Sequence, residues 1–415
     1  MTENRPLISI VMPTMNRAAL LADSLRSALE QDFNDFEIVV SDNHSTDETA
    51  STVRRLGGER VRMVRPDRPL SLPEHFEFAF NHAKGRFVVF LPDDDALTPV
   101  CLSVAAAAVA ERNDPLFVWP MCFYYSEGFD PIRAQNTLLV MPHSGTIERV
   151  NAITNVMLTC YNLYMSRWPQ FVNCIYSVDF LRSIQNRVGR LFPVMGSDLF
   201  TGLLALAEIN DYPFLDRPLS VYRGHMQSLS ASMYNDPRVT LLPYLVEHPE
   251  EHPLPEVPLK SLVPTNFFIS NLLRAKAALG ARADDWLIDW KRYFVAVYLE
   301  LKKLEERGHD VAVEMVEWES ALRDRPAELQ NDVRGSITRQ TSGGWKSRLR
   351  KFVDANPNLT EWDAKLRPRI GRSRPIVFRG SEAGFTNIYE CARSVPDLLV
   401  RGFVEGTLGR RVAVT

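Results

Sequence analysis

The first hundred residues alternate between two hydrophobic periods. Residues 7–12 (LISIVM) form a short apolar run rich in β-branched side chains, ended by Pro13. Over residues 20–29 the apolar positions fall three and four apart, at Leu21, Leu25, Ala28 and Leu29, which is one face of a helix. Residues 36–40 (FEIVV) predict a second strand. Residues 47–56 predict a helix, with Ser45 or Thr46 as its cap. Residues 61–64 give a third strand, 73–83 a helix and 87–91 a fourth strand. Strands alternating with helices predict a mostly parallel, Rossmann-like α/β sheet built from right-handed βαβ units. The strand segments are largely apolar rather than strictly alternating, as expected where helices cover both faces.

Further along, an Ala-rich helix over 99–110 and a strand over 116–119 continue the pattern. Residues 120–235 are mixed and rich in aromatics. From 266 to 323 the period is helical, and Trp286, Trp290, Tyr293, Val297 and Leu301 form a stripe that packing alone explains. Seven prolines between 237 and 264 read as a linker. Three parts are therefore expected: an α/β domain at 1–235, a Pro-rich linker at 236–265 and a mainly helical region at 266–415.

Composition narrows the class. The chain has 415 residues, 45% hydrophobic and 24% charged, which is ordinary for a globular protein with a sizeable core. A net charge of −3 argues against nucleic acid as a partner. The five cysteines include no CxxC pair, so neither zinc nor redox chemistry is indicated and a cytoplasmic setting is expected. The start, MTENRPLISIV, lacks the pattern of a signal peptide. The uncharged runs 96–110 and 150–166 fall short of the ~20 apolar residues of a spanning helix. The window 334–379 holds twelve Lys or Arg against Asp354, Glu361 and Asp363, a balance of +9 that leaves −12 on the rest. With Trp345 and Trp362 inside it, this segment suits peripheral contact with an anionic membrane face. A solvated basic face or a homo-oligomer contact fits it equally.

Three loops carry candidate chemistry, because each follows a strand's carboxyl end, where ligands bind in open α/β sheets. They are residues 13–17 (PTMNR), residues 41–47 (SDNHSTD) and the triplet Asp93, Asp94, Asp95 that ends FVVFLPDDDAL. Crowded carboxylates repel one another, and a hard divalent cation relieves the repulsion while bridging to a substrate's phosphates. Asp42 suits a hydrogen bond from a base imide. An isolated acidic triplet is more often a solvated turn; the apolar strand before this one shifts the balance.

ISIVMPTMNR, VVSDNHSTDET and FLPDDDAL, in that order, resemble the amino-terminal domain of family 2 glycosyltransferases of the GT-A fold, over roughly residues 7–232. The resemblance implies an inverting hexosyltransferase-type enzyme using Mn²⁺ or Mg²⁺ and a nucleoside diphosphate sugar, a UDP-sugar for choice. It divides the domain into a nucleotide-sugar half at 1–120 and an acceptor half at 121–235. It implies that Pro13, Thr14, Asn16 and Arg17 line the nucleotide pocket and that Asp42 reads the base. Asp93, Asp94 and Asp95 stand at the family's DxD-type motif. Asp93 and Asp94 are expected on the ribose and diphosphate, and Asp95 and Asp93 on the metal. Pro92 stands where the family often has its first aspartate, which leaves the register within the triplet open. FPVMGSDLF resembles the acceptor segment and makes Asp198 the general base; Ser197 or Asp198 also suits a helix N-cap. VYRGHMQSLS resembles the segment that places His225 at the metal and Arg223 on a phosphate. His75 stands where the family often has an Asn. A glycan or lipid-linked hydroxyl is the expected acceptor, which suits a cytoplasmic protein at the inner face of a membrane. Two other readings compete: a nucleotidyltransferase acting on sugar phosphates, which the loop PTMNRAALL disfavours because it is not Gly-rich, and an inactive scaffold in polysaccharide assembly.

Overall fold

The computed structural model describes residues 5–126, 135–141, 143–160, 167–225, 228, 237–238, 241–249, 257–341 and 376–404. The opening βαβ units form as the periodicity predicts. Strands β1 (Ile8–Thr14), β2 (Phe36–Asp42), β3 (Val61–Val64) and β4 (Phe87–Phe90) are joined by helices α1 (Ala18–Leu29), α2 (Thr49–Leu56) and α3 (Leu72–Asn81). They lie parallel in the order β3-β2-β1-β4. Ile8 sits opposite Phe36, Thr14 opposite Asp42 and Val11 opposite Phe90. This register brings the loops after β1, β2 and β4 to one edge.

Both faces of this sheet are apolar, for the expected reason. Ile8, Ile10, Met12, Val40 and Val89 face α1 and the helix α4 (Cys101–Arg112). Val11, Val39, Val88 and Phe90 face the other way, toward Phe76 and Phe80 of α3 and a larger core. Neighbours along one strand belong to opposite cores because successive side chains point to opposite faces.

Beyond β4 the sheet departs from the parallel expectation. It contains β6 (Leu116–Val118), β9 (Ile147–Asn151), β10 (Cys174–Ser177) and β11 (Asp211–Leu215), and its full order is β3-β2-β1-β4-β10-β6-β11-β9. Strand β10 runs antiparallel to both β4 and β6, with Tyr176 opposite Val88. A second sheet, unexpected from the sequence, has the order β13-β8-β7-β12-β5. It comprises β5 (Ala96–Leu97), β7 (Met121–Tyr125), β8 (Thr137–Val140), β12 (Ser220–Gly224) and β13 (Ile376–Arg379). Helices α5 (Ala152–Cys160), α6 (Val178–Val188) and α7 (Ser197–Leu206) complete this half.

The carboxyl-terminal part holds the expected helices: α9 (Pro264–Leu279), α10 (Trp290–Glu306), α11 (Ala312–Arg323) and α12 (Ala327–Thr341). The Trp286, Tyr293, Val297 and Leu301 stripe is buried in the core, and Trp290 packs partly buried against it. Two boundaries differ from the sequence-based division. The Pro-rich stretch contains a helix, α8 (Leu241–Glu247), whose Leu241 and Leu245 pack with Met195 and Phe267. The chain's last described segment rejoins the first half: β13 pairs with β8, a short turn α13 (Gly380–Ala383) follows, and α14 (Ile388–Val404) packs against it. Phe385, Ile388, Cys391, Ala392 and Val395 are buried against Ala96, Cys122, Tyr124 and Val221. The apolar face of α14 from Ile388 to Leu399 is buried here, so proximity in sequence to the helical region does not decide where it packs. Residues 342–375, which hold most of the basic segment with Trp345 and Trp362, lie outside the described residues. Among the described residues no helix is long and apolar enough to cross a membrane.

Two outcomes follow from this packing. Ile388→Ala, in the rejoined segment, is expected to cost ~2–5 kcal/mol in urea unfolding, as for a large-to-small change in a close-packed core; a loss below ~0.5 kcal/mol would show the segment undocked. His75 is buried, and its Nε2 shares a hydrogen bond with Ser41 Oγ at 2.8 Å. Burial pushes its pKa down to about 4. The folded state therefore resists protonation. The stability this confers is whole above pH 6.5 and is lost as pH falls toward 4, by about 3 kcal/mol. Thermal unfolding of the native chain and of His75→Gln should converge as pH falls from 7 to 4; parallel curves would contradict this.

Candidate active site

The aspartate triplet is delivered by β4 and held by short-range pairing. Strand β5 begins at Ala96, directly after Asp95, and pairs antiparallel with β12, placing Val221 opposite Ala96. That register brings the YRGH turn onto the triplet. The Arg223 backbone N–H donates to Asp95 Oδ1 at 2.9 Å, and His225 Nε2 lies 2.9 Å from Asp94 Oδ2. From the β1 side, Thr14 Oγ1 donates to Asp93 Oδ2 at 2.7 Å. Arg17 Nη1 reaches both Asp93 Oδ1 at 3.1 Å and Asp94 Oδ2 at 3.3 Å. Ser24 of α1 donates to the Asp95 carbonyl. Thr14, Arg17, Asp93, Asp94, Asp95 and His225, singled out from sequence, thus form one cluster.

Its electrostatics separate the three carboxyls. Burial raises the Asp93 pKa to about 6; Arg17 opposes that rise and Asp94 adds to it. Burial likewise acts on Asp94, but the His225 hydrogen bond and the Arg17 charge outweigh it and hold Asp94 below the usual range. Asp95 is pushed well above the usual range by burial and by Asp94 and Asp93, against the pull of the Arg223 N–H and the Arg223 charge. A buried carboxylate cluster short of countercharge is the donor set a hard cation favours. Among the described residues no three Asp, Glu, His or Cys side chains close on a single point. Asp94 and His225 are the adjoining pair, with Asp95 next in chain. Mg²⁺ needs no more than one or two carboxylates when phosphate oxygens complete its shell, so the residues fit.

The second loop stands beside the first. Asp42 is fully buried; its Oδ1 accepts from the Ser45 backbone N–H at 2.9 Å and its Oδ2 pairs with Arg65. Burial opposes ionisation here, but Ser45 and Arg65 outweigh it and keep Asp42 below the usual carboxylate range. Asn16 links the two loops: its backbone N–H donates to Ser45 Oγ at 2.9 Å, and its Oδ1 accepts from the Thr46 N–H at 2.8 Å. Asn16 and His44 both have positive φ, +54° and +59°. Asn and His are among the side chains found most often in that region, and the His44 ring is tied to the Pro66 carbonyl at 2.8 Å. Pro13 is buried within β1 beneath these loops.

Asp198 reaches the same edge from the other side of β4. It bears electrostatically on Cys174 and Tyr176. Strand β10 is antiparallel to β4, so its Cys174 end lies beside the carboxyl end of β4, where the triplet emerges. The capping role suggested for Ser197 or Asp198 falls instead to Gly196, at φ +78°, with no side-chain cap. The Ser197 hydroxyl donates to the Val194 carbonyl. Asp198 sits in the first turn of α7, where burial raises its pKa against the pull of the Leu199 N–H and its own. The Arg223 side chain turns toward α1, with Nη1 3.8 Å from Asp23 Oδ2. It is the Arg223 main chain that meets the triplet.

Sequence reasoning missed Arg65, His75's partner Ser41, and the loop clamp Glu77. Arg65 directly follows β3 at the same sheet edge, so the rule that found Asp42 would also have found it. Ser41 precedes Asp42 on β2 and points to the opposite face. Glu77, on α3, accepts the backbone N–H groups of Leu191 and Phe192 at 3.1 and 2.9 Å; no local signal marks it.

The model of the family described as "Glycosyl transferase family 2" matches residues 9–168. A GalNAc(5)-diNAcBac-PP-undecaprenol beta-1,3-glucosyltransferase of Campylobacter jejuni is 38% identical over 101 residues, 24% of this chain and 33% of that protein. The UDP-Glc:alpha-D-GlcNAc-diphosphoundecaprenol beta-1,3-glucosyltransferase WfgD of Escherichia coli is 30% identical over 107 residues, 26% of this chain and 42% of that protein. The chain thus spans between a third and a half of the length of these relatives. Among solved structures, S. aureus TarS 1-349 in complex with UDP-GlcNAc overlaps with a TM-score of 0.44 at 17% identity, over 72% of this chain and 82% of that one. Residues 9–168, which carry the Asp42 loop and the aspartate triplet, are thus similar to glycosyl transferase family 2.

Proposed function

We propose that the chain transfers a sugar, with inversion, from a nucleoside diphosphate sugar to a hydroxyl of a glycan or lipid-linked acceptor. The observation that carries this reading is the arrangement along one sheet edge: an acidic cluster with Arg17 and His225, Asp42 on one side of it and Asp198 on the other. Inversion requires the acceptor and the leaving diphosphate to stand on opposite faces of the sugar. Carboxylates on both sides of the donor position supply that polarity.

Asp42 orients the base, and Thr14, Asn16 and Arg17 shape the nucleotide end. Asp94, Asp95 and His225 are the residues that would hold Mn²⁺ or Mg²⁺, with Asp93 beside them. Such an ion supplies countercharge to the departing diphosphate. Arg17, already shared between Asp93 and Asp94, lies where it can follow the phosphates. Asp198 accepts the acceptor hydroxyl's proton as that oxygen attacks the anomeric carbon. Its raised proton affinity suits a base, because a base works best with a pKa near the operating pH.

Two considerations favour particular substrates. The WfgD relative is named for UDP-Glc as donor, which supports a UDP-sugar. Both relatives are named for acceptors on undecaprenyl diphosphate, which supports a lipid-linked acceptor reached at a membrane surface. Glycosyl transfer releases a nucleoside diphosphate, whereas a nucleotidyltransferase releases pyrophosphate, so the product separates the two enzymatic readings.

With a panel of sugar nucleotides and Mn²⁺, the chain is expected to release nucleoside diphosphate and to stop when EDTA is added. Pyrophosphate as the product, or full activity in EDTA, would refute the reading. Asp94→Ala should abolish the metal response and lower donor turnover by ~10²-fold or more, the scale of losing one stabilising group for developing charge. Asp198→Asn should lower transfer to acceptor ~10²–10⁴-fold, the range for a general base, while nucleoside diphosphate affinity, measured by calorimetry, stays within about threefold. Equal loss of binding and transfer would move Asp198 out of the base role.

A further inference from the structure

The loop before α7 is held at both ends, and the two clamps come from different parts of the chain. At its start, Glu77 of α3 accepts the N–H groups of Leu191 and Phe192, and Thr201 Oγ1 donates to the Leu191 carbonyl at 2.8 Å. At its end, Asn271 of α9 donates from Nδ2 to the Met195 carbonyl at 3.2 Å and to the Phe267 carbonyl at 2.9 Å. Asn271 is 1% exposed, and its Oδ1 is buried without a hydrogen-bond partner. One residue beyond Met195, the Gly196 carbonyl takes the first N–H bonds of α7, from Leu199 at 3.0 Å and Phe200 at 3.4 Å. A Cβ on Gly196 would come 2.9 Å from Asn271 Nδ2. Beneath the loop, Met195 packs on Phe267, Leu241 and Leu245.

We propose that Asn271, on the first long helix of the carboxyl-terminal region, is a positioning residue for Asp198. The helical region is then a working part of the acceptor side of the site, not an appended unit. This rests on the reading of Asp198 as the base.

The physical case is one of geometry. Asp198 stands in the first turn of α7, so its direction is set by where that turn begins. The turn begins at Gly196, in a left-handed conformation that leaves its peptide on either side free to rotate unless something fixes it. Asn271 fixes it, by anchoring the Met195 carbonyl and by filling the space where a side chain on Gly196 would stand. An amide buried with half of its hydrogen-bonding capacity unmet is a cost to the fold. A leucine of similar size would avoid that cost and would fill the same space, but could not hold the Met195 carbonyl. Glu77 does the equivalent at the other end, from within the α/β half. The loop that carries Asp198 is therefore referenced to both halves of the chain.

The test compares Asn271→Leu, Gly196→Ala and Asp198→Asn in the full-length chain, with Leu322→Ala, a buried residue of α11, as a control for loss of stability alone. Transfer to acceptor, nucleoside diphosphate affinity and thermal unfolding are measured for each. Asn271→Leu and Gly196→Ala should each lower kcat for transfer about 30- to 100-fold, as misplacement of a reacting group by ~1 Å does, with nucleoside diphosphate affinity within twofold of the native chain. Leu322→Ala should lower the unfolding temperature with kcat unchanged. Should Asn271→Leu fail to fold, Asn271→Ala, which likewise removes the bond to the Met195 carbonyl, gives the same reading without touching the backbone of Gly196. If both variants keep native kcat, or lose it only in step with nucleotide affinity, Asn271 is structural and the proposal falls while the reading of Asp198 stands. If Asp198→Asn itself keeps native transfer, the reading of the base fails and the proposal with it.

Discussion

Everything at this sheet edge depends on the countercharge supplied to three consecutive aspartates. Strand β4 is buried on both faces, and the chain leaves it through Leu91 and Pro92 straight into Asp93, Asp94 and Asp95. Isolated ionised carboxylates are costly at such a depth. The fold answers with Arg17 from the first loop, His225 from the end of β12, Thr14 as a hydroxyl donor and the Arg223 N–H. The donors come from the end of β1, the residue before α1, and β12 with the residue after it, so the cluster ties these elements to the end of β4. The relief is incomplete. Asp94 is satisfied, whereas Asp93 and Asp95 hold their protons too strongly for ordinary aspartates. A cluster left this way favours the approach of positive charge.

The same shortage explains why α14 returns to the first half of the chain. Strands β5 and β12 have to stay paired for Asp95 and Arg223 to meet, yet β5 has only two residues and stands at the edge of its sheet. Two residues of pairing cannot persist without cover. Val395, Ala392 and their neighbours supply it, packing against Ala96 and Val221, the two residues that face each other across that pair. Tyr389 and Arg393 anchor the helix further, at Glu30 on α1.

The parts of this arrangement that were legible in the sequence are those with a local cause. The β1–β4 strands and their helices follow from apolar periodicity within windows of a dozen residues, and the loops that bear Asp42 and the triplet follow from where those strands stop. The antiparallel insertion of β10 and the whole second sheet were not legible, because a strand's neighbour and direction are set by pairing across distance: Tyr176 meets Val88, and Ile376 meets Val140. The meeting of His225 with Asp94 was reached only through resemblance to a family; its physical cause is a two-residue register with no periodic signature. Arg65 could have been found by the edge rule already in use. Asn271 lies amid an ordinary helical pattern, and nothing in the sequence joins it to Met195. Most of the basic segment lies outside the described residues, so its proposed contact with an anionic surface rests on composition.

Under the proposed transfer, the two acidic groups on either side of the donor position face opposite physical demands, and the fold meets them by different means. In the triplet, Arg17 and His225 hold Asp94 in its charged form, while Asp93 and Asp95 keep raised proton affinities that an arriving cation would bring down. Asp198 has to take up a proton, so it gains from the reverse: burial without an adjoining Arg or Lys among its perturbing groups, and only the N–H groups of its own helix turn to steady it. A cation beside Asp198 would strengthen its ionised form and weaken it as a base. None of the cationic groups that act on the triplet is among those that act on Asp198. In the proposed transfer, that division of charge would let one sheet edge hold a leaving group at one point and activate a nucleophile at another.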